Sequence, residues 1–193
     1  MTRVDYIRVP GREWVPHPER RFDTVELRAP MFSLLRRIQA AILDDLPTSF
    51  GLEEGQLQRS DQPVIPLRAL REVLVNALMH RDYFDSASIR ILVFRNRIEI
   101  ISPGHLPGNL STADIQHGKT KRRNPILSEH AAHLLPYRGL GSGIHRARQA
   151  WPQIELQDHR SGNEFRAVVA RPQVGTQSID TVTPPVTPPV TPP

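Results

Sequence analysis

The segment Leu67–His80, LRALREVLVNALMH, constrains the fold more than any other part of the chain. Pro66 stands where a first helical turn accepts proline, and Leu67, Leu70, Leu74 and Leu78 recur at helical spacing. Val73, Val75, Ala77 and Met79 flank the other side, so the predicted helix is apolar almost all round and belongs in an interior. Yet Glu72, Asn76 and His80 fall at i, i+4 and i+8, along one line of that helix. A buried amide without a partner costs roughly 1–3 kcal/mol, so Asn76 is expected to face a ligand or an ion. A half-exposed helix whose Glu72 and Asn76 meet only water would show the same spacing.

Around this helix the pattern reads as one α/β unit. Val4–Val9 and Thr24–Leu27 look like short strands, and Pro30 opens a helix carrying Leu34, Leu35, Ile38 and Ile42 at spacings of three and four. The polar, glycine-containing stretch from Pro47 to Pro63 reads as loop. Ser88–Phe94 and Arg97–Ile101 form a predicted hairpin across Arg95-Asn96, followed by a polar stretch from Gly108 to Arg123. A short helix begins at Asn124-Pro125 and stops at Pro136, another spans Ile144–Ala150, and a hairpin across Ser161-Gly162 closes the unit. The expected fold is an α/β two-layer sandwich, a mostly antiparallel sheet with helices on one face.

Residues 173–193 change character. Val-Thr-Pro-Pro recurs from Val182, Val186 and Val190, and proline at half of the positions removes donors from any helix or sheet. The expected state is a solvated, extended linker, with the globular unit confined to residues 1–172 and a further module expected beyond the repeat. The absence of cysteine excludes disulfides and thiolate metal sites, and agrees with a reducing cytoplasm. No apolar run approaches a membrane span, so no membrane partner is expected. The 25 Lys+Arg against 20 Asp+Glu give a formal charge of +5, and Lys119 and Lys121 are the only lysines. An arginine surplus suits phosphates, in a nucleotide or in DNA.

Two further motifs add chemistry. Ser102-Pro103-Gly104 ends a strand at a glycine, which lets backbone approach a planar ligand closely. Gly139-x-Gly141-x-Gly143 opens a helix, where free amides without intervening side chains form a phosphate cradle. It is neither a dinucleotide fingerprint, since no strand directly precedes it, nor a Walker A loop, since no Gly-Lys-Ser/Thr follows.

Taken in order, RALREVLVNALMHRDY, RIEIISPGHLP, RRNP and GLGSGI resemble the C-terminal region of bacterial proteins labelled RecG-like helicases or Schlafen/AlbA-type transcriptional regulators. That region is similar to the ATPase fold shared by gyrase B, heat-shock chaperones, histidine kinases and MutL, a Bergerat-type fold. The resemblance implies Glu72 as the carboxylate that polarises the attacking water, and Asn76 as the oxygen ligand of Mg²⁺. It implies Ser102 and Gly104 beneath the base, and Gly139, Gly141, Ser142 and Gly143 around the phosphates. Asn109 to Asn124 corresponds to a lid, in which Lys119, Arg122 and Arg123 are candidates to neutralise the γ-phosphate. Ser102 stands where the superfamily has an adenine-binding aspartate, and Leu106 where a second glycine is expected.

The implied function is a Mg-ATP-binding regulatory domain, with slow ATP hydrolysis as its enzymatic possibility. DNA is the expected partner through modules outside this chain, and a second copy of the chain is a further expected partner. The alternative is a degenerate member that binds no nucleotide and serves as a DNA or protein interaction module. Helicase activity is not expected, because the chain has neither a P-loop nor a pair of motor domains. His80-Arg81-Asp82 lacks the downstream residues of a kinase loop, and His130 and His133 lack a third metal ligand at telling spacing.

Overall fold

A computed structural model describes residues 2–14, 22–51, 60–134 and 141–172. The chain runs β1 (Thr2–Arg8), β2 (Asp23–Ala29), α1 (Met31–Asp45), β3 (Thr48–Gly51), β4 (Ser60–Pro63), α2 (Leu67–His80), β5 (Ile89–Val93) and β6 (Arg97–Pro103). It continues through α3 (Thr112–Gln116), α4 (Pro125–Leu134), α5 (Ser142–Ala150), β7 (Ile154–His159), a 3₁₀ turn (Arg160–Gly162) and β8 (Glu164–Ala170).

Six strands form one sheet in the order β2-β1-β5-β6-β8-β7. Neighbours are antiparallel except β1 and β5, which run parallel with Val4 opposite Ile89 and Tyr6 opposite Ile91. A parallel pair needs a crossover, and here the crossover contains α1 and α2, which places both helices over one face. Alternation along the strands supplies that face with Val4, Tyr6, Ile91, Ile98, Ile100 and Val169, all at most 1% exposed. Among the described residues the opposite face carries a small cluster, Val9, Leu92, Phe94 and Ile101. The architecture is therefore the expected two-layer α/β sandwich, mostly antiparallel, with helices on one face.

The helix α2 is buried on nearly every side, from Ala69 through Met79, while Glu72, Asn76 and His80 keep partial exposure. Its C-terminal turn leaves backbone carbonyls without intrahelical partners. Three side chains from elsewhere satisfy them. Ser102 Oγ donates to the Ala77 carbonyl at 3.0 Å, Tyr83 Oη to Leu78 at 2.9 Å, and Asn124 Nδ2 to Met79 at 3.0 Å.

Two expectations need correction. Pro47–Pro63 contains β3 and β4, an antiparallel pair in register from Thr48↔Pro63 to Gly51↔Ser60 and separate from the main sheet. Backbone pairing creates it, and no apolar alternation advertises it. The polar stretch from Gly108 contains α3, which starts at a capping box: Ser111 Oγ accepts from the Asp114 amide while the Asp114 carboxylate accepts from the Ser111 amide. The tail 173–193 and Gly139 lie outside the described residues.

Candidate functional site

A cleft opens where α2, the end of β6, the lid segment and the start of α5 meet. Its empty space, the open mouth included, is about 850 Å³. Glu72, Asn76 and His80 line it from α2, Ser102 and Gly104 from the floor, Lys119 and Lys121 from the lid, and Gly141, Ser142 and Gly143 from α5.

The α2 face meets α5 directly. A Cβ on Gly143 would lie 3.0 Å from Glu72 Oε2, tight enough that the carboxylate would have to give by a few tenths of an ångström. Among the described residues no side chain caps α5, whose amides begin after Gly141 in the left-handed region at φ 72°. Among the described residues the Asn76 amide makes no side-chain hydrogen bond, although it lines the cleft.

Sequence reasoning passed over Arg146. One turn into α5, its guanidinium returns to the helix start and donates to the Ser142 hydroxyl. Two of its nitrogens, Nε at 3.0 Å and Nη2 at 2.8 Å, converge on Glu72 Oε1. Glu72 therefore meets the cleft through Oε2 while Oε1 is engaged. The i, i+4 spacing of Ser142 and Arg146 is visible in the sequence, but the pairing of Arg146 with Glu72 across 74 residues is not.

Ser102 is 4% exposed, and its only proton goes to the Ala77 carbonyl. The oxygen lone pairs remain to accept from a ligand, which is the polarity that a base amino group requires. A carboxylate could not donate to Ala77. Gly104, at φ 106°, has a reason closer than any ligand: a Cβ there would stand 3.0 Å from both the backbone N and the Cβ of Asp82.

The lid is tied down along its length. Lys119 Nζ bonds Asp114 Oδ1 at 2.6 Å, and this contact, with the Ser111 bonds, holds the Asp114 carboxyl down at about 2. Asn124 caps α2, while Arg160 donates to the carbonyls of Gly108 and Leu110. Where the lid crosses the glycine loop, a Cβ on Gly141 would meet the Gly118 carbonyl oxygen at 2.2 Å. Arg123 stands outside the cleft lining, donating to Asp82 Oδ2 at 3.2 Å and to the His105 carbonyl. Lys121, rather than Arg123, lines the cleft beside Lys119. His80 lines it with its imidazole held down to about 4, first by burial and second by the Arg123 charge.

The donor set suits a magnesium nucleotide. Asn76 and Glu72 offer hard oxygens, which Mg²⁺ prefers. The uncapped start of α5 and its glycines form a cradle that side chains would fill. Among the described residues no group of three His, Asp or Glu side chains stands ready to hold a metal alone, so phosphate oxygens would complete the coordination.

Comparison with known proteins agrees with this architecture. Residues 86–169 match the protein-family model described as "Putative ATP-dependent DNA helicase recG C-terminal". That match supports a RecG-like C-terminal ATPase-like domain over those residues. The match takes in β5 to β8 with Ser102, Gly104, the lid and α5, and begins after α2, so Glu72 and Asn76 lie outside it. No curated protein matches the chain. Among solved structures, the crystal structure of the DIP2311 protein from Corynebacterium diphtheriae is similar with a TM-score of 0.68 at 19% identity. The similarity covers 89% of this chain and 35% of that one, and it concerns the fold alone. Among the described residues no helix is long and apolar enough to cross a membrane.

Proposed function

We propose that this domain binds Mg-ATP in the cleft and acts as a nucleotide-dependent regulatory module of a larger RecG-like protein that controls transcription. The observation that carries the reading is the approach of Glu72 to Gly143, with Asn76, which makes no side-chain hydrogen bond among the described residues, one turn further along α2. In this reading Asn76 Oδ1 ligates Mg²⁺, and the amides at the start of α5 with Gly141, Ser142 and Gly143 hold the phosphates. Ser102 accepts from the base amino group, while Lys119 and Lys121 bring positive charge from the lid. Magnesium supplies charge neutralisation of the phosphates. Glu72 Oε2 is the oxygen available to orient a water, so any hydrolysis is slow while Arg146 engages the other oxygen. DNA contact belongs to modules outside this chain, with the lid transmitting nucleotide state to them.

Titration calorimetry with ATP and Mg²⁺ tests the reading. Saturable heat that Asn76→Ala abolishes is expected; neither heat nor a thermal shift at millimolar nucleotide would defeat it. A second reading, an interaction module without nucleotide, draws on the closed Glu72–Arg146 pair and on Ser102 in place of a carboxylate. Salt-dependent DNA binding by the isolated chain, indifferent to ATP, would favour that second reading.

A further inference from the structure

The guanidinium of Arg146 sits inside the cleft, where an anion entering at the start of α5 must meet it. Its present partners are the Glu72 carboxylate and the Ser142 hydroxyl, both themselves lining the cleft. Carboxylate and phosphate compete for the same planar fork of N–H donors, and phosphate offers more acceptor oxygens with greater charge. The other lining cations differ in kind. Lys119 belongs to Asp114, and Lys121 projects from the lid beside Gly108. Among the described residues Arg146 alone bridges the two walls, since it stands on α5 and holds a residue of α2. The pair is only partly shielded, with the Arg146 side chain 37% exposed and that of Glu72 18% exposed, so the exchange opens no sealed interior.

We infer that Arg146 is a phosphate-sensing residue: it releases Glu72 and takes the terminal phosphates when a nucleoside triphosphate binds, so that Glu72 is freed only in the loaded state. This inference rests on the nucleotide reading above and adds its regulation. The exchange is a competition, hence the Glu72 charge opposes triphosphate binding specifically through Arg146. A nucleoside monophosphate, which does not reach that fork, is indifferent to it.

Calorimetric titration of Mg-ATP and AMP into the wild type, Arg146→Ala, Arg146→Lys, Glu72→Gln and the double variant tests this. Arg146→Ala should weaken Mg-ATP roughly tenfold or more, as loss of a charge-assisted contact does. Arg146→Lys should restore part of the loss, and AMP should change less than about twofold. Glu72→Gln should tighten Mg-ATP several-fold with Arg146 present and not in its absence, a coupling that a purely structural ion pair would not produce. If Arg146→Ala alone fails to fold because it strands the carboxylate, the double variant against Glu72→Gln reads the same Arg146 contribution. Equal loss for ATP and AMP, or the same Glu72→Gln gain in both backgrounds, overturns the proposal. Wild-type protein that binds neither nucleotide overturns the proposal together with the reading beneath it. Mg-ATP binding that ignores Arg146 overturns the proposal alone.

Discussion

Oε2 of Glu72 lies 3.0 Å from the point where a Cβ would stand on Gly143, so the carboxylate of α2 and the first turn of α5 face each other with no side chain between them. Fold stability does not require that bareness. Gly143 lies within α5, where glycine is disfavoured relative to alanine by roughly 0.5–1 kcal/mol.

Gly143→Ala should therefore leave the melting temperature unchanged or raise it, while the methyl displaces Glu72 and weakens Mg-ATP binding roughly tenfold. Differential scanning calorimetry beside a nucleotide titration checks both halves. A variant that binds as the wild type does would show that the gap has no part in recognition.

Gly141→Ala should behave in the opposite way. Its φ of 72° disfavours any L side chain by about 1–2 kcal/mol, and the methyl would strike the Gly118 carbonyl. A fall in Tm of about 5 °C or more is expected, with earlier proteolytic cleavage in the lid. An unaltered melt would contradict the close crossing of lid and glycine loop.

Ser102→Ala removes the proton that caps the Ala77 carbonyl. A buried acceptor left bare costs about 1–3 kcal/mol, so chemical denaturation should show a loss of that size. The same substitution should reduce discrimination between adenine nucleotides and analogues lacking the amino group, which competition binding would measure.

His80 makes stability depend on pH. Its folded pKa of about 4 lies below the ordinary 6.5, so between those values the unfolded chain takes up a proton that the folded chain refuses. The protein is thus stabilised above pH 6.5 and loses that contribution as pH falls toward 4, about 2 kcal/mol between pH 7 and pH 5. Denaturation of wild type and His80→Asn at both pH values should show the smaller loss in the variant. Equal losses would mean that His80 titrates normally.

Much of this was legible from residues alone. The line of Glu72, Asn76 and His80 on an otherwise apolar helix marked the cleft wall, because burial leaves polar groups few places to go. The hairpin of β5 and β6 announced itself by alternation and a two-residue turn. What stayed hidden was long-range or made by backbone. β3 and β4 pair through main-chain bonds in a polar stretch. The Ser111–Asp114 capping box has a sequence signal, but the polar composition around it hides the short α3. Arg123 is basic and in the lid, yet Asp82, far away in sequence, holds it outside the cleft. Ser102 reads as a defective base contact until the Ala77 carbonyl is seen beneath it. Arg146 has no meaning until α2 and α5 are packed together.

The most direct test of the central claim is a crystal structure with a non-hydrolysable ATP analogue and Mg²⁺. The account predicts phosphates against Gly141–Gly143, the metal on Asn76 Oδ1 and the base over Ser102 and Gly104. An analogue bound elsewhere, or phosphates remote from both Asn76 and the start of α5, would contradict it.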